Sequence, residues 1–361
     1  MKSGRMHSPM NRDQTPALEH THNRRIAAWL FVCCFMVYAM VILGGVTRLT
    51  GSGLSMVEWD PIFGILPPLD QASWEETFRL YQQSPEYQKI NIGMDLEGFK
   101  GIYWFEYSHR LLGRTIGTVF LLPFLFFLAR GWIHRPLVPK LLTLFVLGGL
   151  QGLLGWYMVK SGLIDNPHVS QYRLTAHLGL AILIYAYMFY VALGLWLGER
   201  RTASIPAGLR YATTLLTGLV FITILSGGFV AGLKAGFAYN TFPLMDGHWI
   251  PEVIFMQSPL WRNFFENIAT VQFVHRLLAT LVFSSVILLW IAARRYALPA
   301  AVTTGLHLML VAVVLQVSLG ISTLLLHVPV ALAATHQAGA LLLFTIMLYT
   351  HHRTSYSSTD G

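Results

Sequence analysis

The chain has 361 residues, 54% of them hydrophobic and only 12% charged, with a mean hydropathy of +0.53. A soluble globular domain carries roughly 25% charged residues, so half that share over this length excludes an ordinary soluble fold and points to the bilayer as solvent. The formal net charge of +8 does not mark a nucleic-acid binder, because the basic residues cluster in short polar gaps that alternate with acidic or mixed ones, a pattern that orients a membrane protein.

Residues 1–25 are polar and basic, and no apolar core with a small-residue cleavage site precedes the first apolar run. A short inner-side tail and an uncleaved first helix are expected in place of a signal peptide. Runs of about 20 mostly apolar residues predict eight spans, at 26–46, 107–129, 141–160, 174–197, 211–233, 272–293, 304–326 and 330–350. The fold class is therefore an all-α polytopic membrane protein. The first span holds both cysteines, Cys33 and Cys34, whose adjacency argues against a structural disulfide. Only a few residues around Val328-Pro329 separate the last two spans, which predicts a tight hairpin.

The positive-inside rule sets the orientation. Lys2, Arg5, Arg12, Arg24 and Arg25 precede span one; Arg130, Arg135 and Lys140, then Arg200, Arg201 and Arg210, then Arg294 and Arg295 fill the gaps after spans two, four and six; Arg353 follows span eight. All fall on one face if both termini are cytoplasmic, as expected for a bacterial inner-membrane protein. The opposite face carries a long loop, 47–105, rich in acidic residues such as Glu58, Asp60, Asp70 and Glu86. Within it, Ser84-Pro85-Glu86 has the form of a helix start, and Trp59, Trp74 and Trp104 suit an interfacial layer.

Self-comparison reveals a repeat. Glu106-Tyr107-Ser108-His109-Arg110-Leu111-Leu112 opens span two, and Gln272-Phe273-Val274-His275-Arg276-Leu277-Leu278 opens span six. Leu150-Gln151-Gly152 answers Leu315-Gln316-Val317, Thr175-Ala176-His177 answers Thr335-His336-Gln337, and Gly44-Gly45 answers Gly227-Gly228. The motifs keep their order, and each half has an even number of spans, so both halves sit the same way up in a parallel repeat. The expected organisation is a tail at 1–25, four-helix halves at 26–200 and 201–353, and a C-terminal tail at 354–361. The outer loop is 17 residues longer in the first half, counted from glycine pair to histidine, which hints at a task the second half lacks.

Histidines inside spans are rare and costly, which makes each a functional candidate. His109 and His177 reach a similar depth, as do His275 and His336, because the spans in each pair run in the same direction. Two neutral imidazoles facing each other across a bundle suit the axial ligands of a haem. The bland reading is that each only hydrogen-bonds a neighbouring helix; two repeated pairs at matched depth weigh against it. Arg48, Arg110 and Arg276 serve equally as partners of haem propionates or as anchors at the membrane surface. A dihaem electron carrier and a transporter with histidine relays both remain open at this point.

The repeat also breaks its own symmetry. Glu106 stands one turn before His109, and its counterpart before His275 is Gln272. A carboxylate there can accept a proton or stabilise developing positive charge; a glutamine does neither well. The first half is therefore expected to do chemistry and the second to hold a fixed cofactor, unless Glu106 merely pairs with a nearby arginine such as Arg110 or Arg114.

Over about residues 26 to 350 the sequence resembles the haem A synthase family, on Gly44-Gly45-Val46-Thr47-Arg48-Leu49-Thr50-Gly51-Ser52-Gly53-Leu54-Ser55, Glu106-Tyr107-Ser108-His109-Arg110, Thr175-Ala176-His177, Asn240-Thr241-Phe242-Pro243-Leu244-Met245, Val274-His275-Arg276 and Thr335-His336-Gln337. The resemblance implies two pseudo-symmetric four-helix bundles and oxidation of the C8 methyl of haem O to the formyl of haem A. It implies that His109 and His177 flank the substrate haem, that Glu106 is the catalytic carboxylate, and that His275 and His336 hold a haem b. Some bacterial members carry a cysteine pair in the first outer loop; this sequence has none there and looks closer to the proteobacterial and mitochondrial branch. Candidate partners are the lipid bilayer, haem O synthase, cytochrome oxidase assembly proteins and a second copy of the chain.

Overall fold

The computed structural model describes residues 14–58, 65–163, 167–198 and 205–355. Lys2, Arg5, Arg12, Trp59, Asp60, Arg200, Arg201, the boundary between the expected halves and most of the C-terminal tail lie outside them. Among the described residues the chain forms helices α1 (Gln14–Leu49), α2 (Gln71–Gln82), α3 (Pro85–Lys89), α4 (Leu96–Ala129), α5 (Val138–Gly162), α6 (Gln171–Leu197), α7 (Ala207–Gly232), α8 (Asn263–Glu266), α9 (Ile268–Ala293), α10 (Ala300–Leu325) and α11 (Val330–Ser355). Eight of these are long and apolar enough to cross a membrane, namely α1, α4, α5, α6, α7, α9, α10 and α11. The chain is a multi-pass membrane protein.

Several boundaries differ from the sequence expectation, each for a local reason. The first helix begins at Gln14, so part of the expected tail is helical. Its polar turns find aromatic partners: His22 stacks on Trp132 at 4.5 Å, while Arg24 lies over Trp196 and Arg25 over Trp132 at 5.4 and 5.1 Å. α4 starts at Leu96, eleven residues before the apolar run, because the Asp95 side chain caps it by accepting from Gly98 N at 2.8 Å. Glu106 and His109 therefore sit about three turns inside a helix and do not open it. At the other end, α11 continues to Ser355, past the expected span end at 350.

The helices pack in a repeating pattern. α1 meets α4 and α6, and α5 meets α4 and α6; α7 meets α9 and α11, and α10 meets α9 and α11. Between the two sets, α1 touches α11, α6 touches α7, and α6 touches α11. Exchanging α1, α4, α5 and α6 for α7, α9, α10 and α11 maps the α6–α11 pair onto itself and each of the others onto another of these pairs. The hairpin between α10 and α11 is as tight as expected. It turns through His327 and Val328 in left-handed conformation, at φ of 60° and 59°, and Val328 N donates back to the Thr323 carbonyl at 2.8 Å, which closes the helix end.

Side-chain to backbone bonds join the two sets of spans. Tyr38 Oη donates to the Ala338 carbonyl at 2.8 Å, and Gln337 Nε2 donates to the Val41 carbonyl at 2.7 Å. The hydroxyls of Tyr185 and Thr345 pair at 2.8 Å, and Arg48 Nη2 reaches the carbonyls of Ala231 and Gly232 at 3.5 and 3.4 Å. A hydrogen bond of this kind contributes about 1 kcal/mol. Gln337→Ala is accordingly expected to destabilise the protein by about 1 kcal/mol, read as a lower thermal midpoint in detergent.

Candidate functional site

All four span histidines lie on glycines. Each imidazole packs against a glycine of the preceding span: His109 on Gly44, His177 on Gly155, His275 on Gly227 and His336 on Gly320. A Cβ built at these glycines would stand 2.9, 3.0, 3.2 and 2.8 Å from the respective Cε1 atoms. The absence of a side chain is therefore what lets each ring lie between two helices. His109 and His177 are within electrostatic reach of each other, and so are His275 and His336. The structure brings the predicted histidines together in the predicted pairs.

The ring nitrogens have partners of two kinds. Gln151 Nε2 donates to the His177 carbonyl at 3.0 Å and lies 3.2 Å from its Nδ1; Gln316 Nε2 does the same for His336 at 2.9 and 3.1 Å. The glutamines belong to the repeated Leu-Gln motif, which sequence comparison located without assigning it a role. Ser226 Oγ lies 2.8 Å from His275 Nδ1.

Glu106 is held by four hydrogen bonds. Arg110 Nη2 and Nε donate to its Oε1 at 2.6 and 3.1 Å, and Ser55 Oγ and Met56 N donate to its Oε2, both at 2.8 Å. The pair is buried, with side chains 4% and 10% exposed. A carboxylate is an acceptor only, and these donors occupy both its oxygens. The pairing with Arg110 that the sequence left open is thus present. It joins a larger clamp, since Arg110 also donates to the carbonyls of Met56 and Glu58 at 2.8 and 3.1 Å.

The second set of spans repeats this clamp without the charge. Arg276 donates to the carbonyls of Tyr239 and Thr241 at 2.7 and 2.9 Å and to Gln272 Oε1 at 3.1 Å, while Gln272 Nε2 donates to the Ala235 carbonyl at 2.9 Å. An open cavity of about 710 Å³ borders this clamp, lined in part by Tyr239, Thr241, Asp246 and His327. Among the described residues, Arg48 and Arg276 each also carry a buried Nε with no hydrogen-bond partner.

The long outer loop covers the Glu106 side. α2 packs on α4 through Trp74, Tyr81, Phe99, Tyr103 and Tyr107, and Tyr107 Oη donates to the Ile65 carbonyl at 2.7 Å. Trp74 belongs to this aromatic core, whereas Trp104 is exposed as an interfacial residue would be. The helix start at Ser84 is present, its side chain accepting from Tyr87 N at 3.2 Å. Sequence reasoning counted Glu86 among the acids of this loop; it is buried, beneath the Tyr81 hydroxyl at 3.3 Å. Burial, and then the nearby Glu106 charge, push its carboxyl from 4.5 up to about 7, while the Tyr81 hydroxyl pulls part of the way back.

Because the folded chain holds this proton more tightly than the unfolded chain does, stability is greatest below pH 4.5 and is lost as pH rises towards about 7. The loss amounts to up to about 3 kcal/mol. Glu86→Gln is expected to remove this slope, so that thermal midpoints in detergent below and above the window converge. A slope as steep as in the unmodified protein would exclude Glu86 as its source.

Comparison with known proteins identifies the family. A family model described as cytochrome oxidase assembly protein matches residues 27–348. The chain is similar to a haem A synthase of Nitrosospira multiformis, 57% identical over 347 residues that cover 95% of this chain and 96% of the relative. It is also similar to haem A synthases of Nitrosomonas eutropha, at 53% identity over 93% of this chain and 96% of the relative, and of Paramagnetospirillum magneticum, at 51% identity over 91% and 94%. With matches of this extent, the chain belongs to the haem A synthase family of cytochrome oxidase assembly proteins.

Proposed function

We propose that this chain is a haem A synthase, an oxidoreductase that converts the C8 methyl of haem O to a formyl group and so supplies haem A for cytochrome oxidase. The observation that carries this is the contrast between Glu106, fixed by Arg110, Ser55 and Met56, and Gln272 in the matching clamp. An electron carrier with two equivalent haems has no use for a carboxylate on one side alone.

The halves at 26–200 and 201–353 then form pseudo-symmetric bundles flanked by tails at 1–25 and 354–361. Residues fit a haem in each: paired imidazoles, glycines that make room for them, and the partnerless Nε atoms of Arg48 and Arg276 as donors for propionates. His109 and His177 hold the substrate haem, with Arg110 fixing Glu106 beside it. His275 and His336 hold a haem b, which when bound supplies a one-electron redox centre. The chain lies in the bacterial inner membrane with both termini cytoplasmic and the haem sites towards the outer face, a placement supported by its alternating basic and acidic gaps. Haem O synthase as source of substrate and cytochrome oxidase assembly proteins as recipients are its partners.

With water as the oxygen source, each methyl oxidised consumes one water and releases four protons and four electrons, the electrons passing to an external acceptor. The protein must therefore remove protons and stabilise positive charge beside C8. Glu106 does both: its carboxylate stands one turn from His109, oriented at Oε1 by Arg110 and at Oε2 by Ser55 and Met56 N. It accepts a proton as water adds and offsets the charge that develops as electrons leave. The loop carrying Ser55 and Met56 covers this site and excludes bulk water.

Glu106→Gln is expected to retain bound haem while haem A formation falls about 100-fold or more, read by visible spectrum and by mass analysis of the extracted pigment. Unchanged haem A output would remove Glu106 from the reaction. Gly320→Ala drives a methyl into the His336 ring and is expected to cost the protein one of its two haems. Gly148→Ala, where a Cβ meets nothing within 4 Å, should keep both.

A further inference from the structure

The four histidines are not held alike. His275 Nδ1 lies 2.8 Å from Ser226 Oγ, and that hydroxyl donates its single proton to the Thr223 carbonyl at 2.7 Å. With its proton on the Thr223 carbonyl, Ser226 Oγ is placed to accept from His275 Nδ1–H, which the Thr223 backbone also bonds, and this leaves Nε2 as the nitrogen with a free lone pair. His177 and His336 have their glutamine amides. His109 Nδ1 is buried and has no hydrogen-bond partner among the described residues.

One side chain distinguishes the two cradles. The residue before the cradle glycine is Ser226 in the second half and Leu43 in the first. The cradle itself is kept, since His109 lies on Gly44 as His275 lies on Gly227. Only the acceptor is missing. A ligating imidazole whose other N–H is bonded is fixed in orientation and made more basic; loss of such a partner costs about 10–100-fold in metal affinity.

We infer, resting on the haem-ligand assignment proposed above, that His109 is the releasable iron ligand of the first half and that Leu43 makes it so. Product haem leaves by rupture of its iron bonds to His109 first and then to His177, each electron pair staying on its nitrogen, and substrate haem enters by forming the same two bonds. His275, held by Ser226, keeps its haem in place. A turned-over porphyrin and a resident one need opposite residence times, and Leu43 against Ser226 provides this within one shared frame.

The test loads the full-length protein with haem O and haem b, adds excess apomyoglobin as haem acceptor, and resolves the transferred pigment chromatographically over time. Haem O is expected to leave on the order of 10-fold faster than haem b, or more. Leu43→Ser should slow haem O release about 10-fold with haem b unaffected, and Ser226→Leu should speed haem b release. Equal release of the two haems from the unmodified protein overturns the inference, as does a Leu43→Ser variant with unchanged haem O release. If Leu43→Ser fails to fold, unchanged haem b release in Ser226→Leu overturns it instead. A protein that binds no haem at all sinks the ligand assignment itself, an outcome distinct from binding with equal release.

Discussion

An imidazole inside a bundle of apolar helices needs a place to lie before it can have a function. Here the place is the bare backbone of a glycine on the preceding span, used four times. The contact is short enough that even a methyl group would displace the ring, so helix spacing and histidine position are set by the same atoms. The remaining features follow from it: spans cross closely at these points, and polar side chains such as Gln151, Ser226 and Gln316 approach the ring nitrogens.

Where α4 carries Glu106, α9 carries Gln272, and the charged version has a cost. A buried ion pair carries a desolvation penalty that is offset only when further hydrogen bonds satisfy both ions. Glu106 and Arg110 meet that condition through Ser55, Met56 and the Glu58 carbonyl. The loop that delivers these groups is the extra length of the first half, stabilised by its own aromatic cluster around Phe99 and Tyr81. Gln272 makes the corresponding bonds as a neutral amide, so the second clamp needs no such support.

How much of this was readable in the sequence depends on the physical signal. Hydropathy over twenty residues is a strong signal, and all eight spans are present. It fades where a helix leaves the apolar layer, which is why Leu96 and Gln14 were missed as starts. The histidine pairs, Glu106 and Gln272 stood out through the repeat. The glycines were visible only as small residues, because which ring each one faces depends on helix rotation. Glu86 had the appearance of one more acid in an acidic loop; its burial depends on Tyr81 and Phe99, brought over it by tertiary packing. The arginines were recognised as cations, but carbonyl acceptors have no sequence signature.

Arg48 carries one further implication. Its guanidinium leaves the C-terminal end of α1 and finishes on the last carbonyls of α7, groups that a helix end would otherwise leave unpaired. The wall of one compartment is thus completed by the terminus of the other. A polypeptide severed between Gly198 and Ile205 would yield two fragments, one with a stranded cation and the other with open carbonyls at the bilayer edge. The repeat is visible in the sequence and in the order of helix contacts, and the Arg48 bonds tie its two parts together.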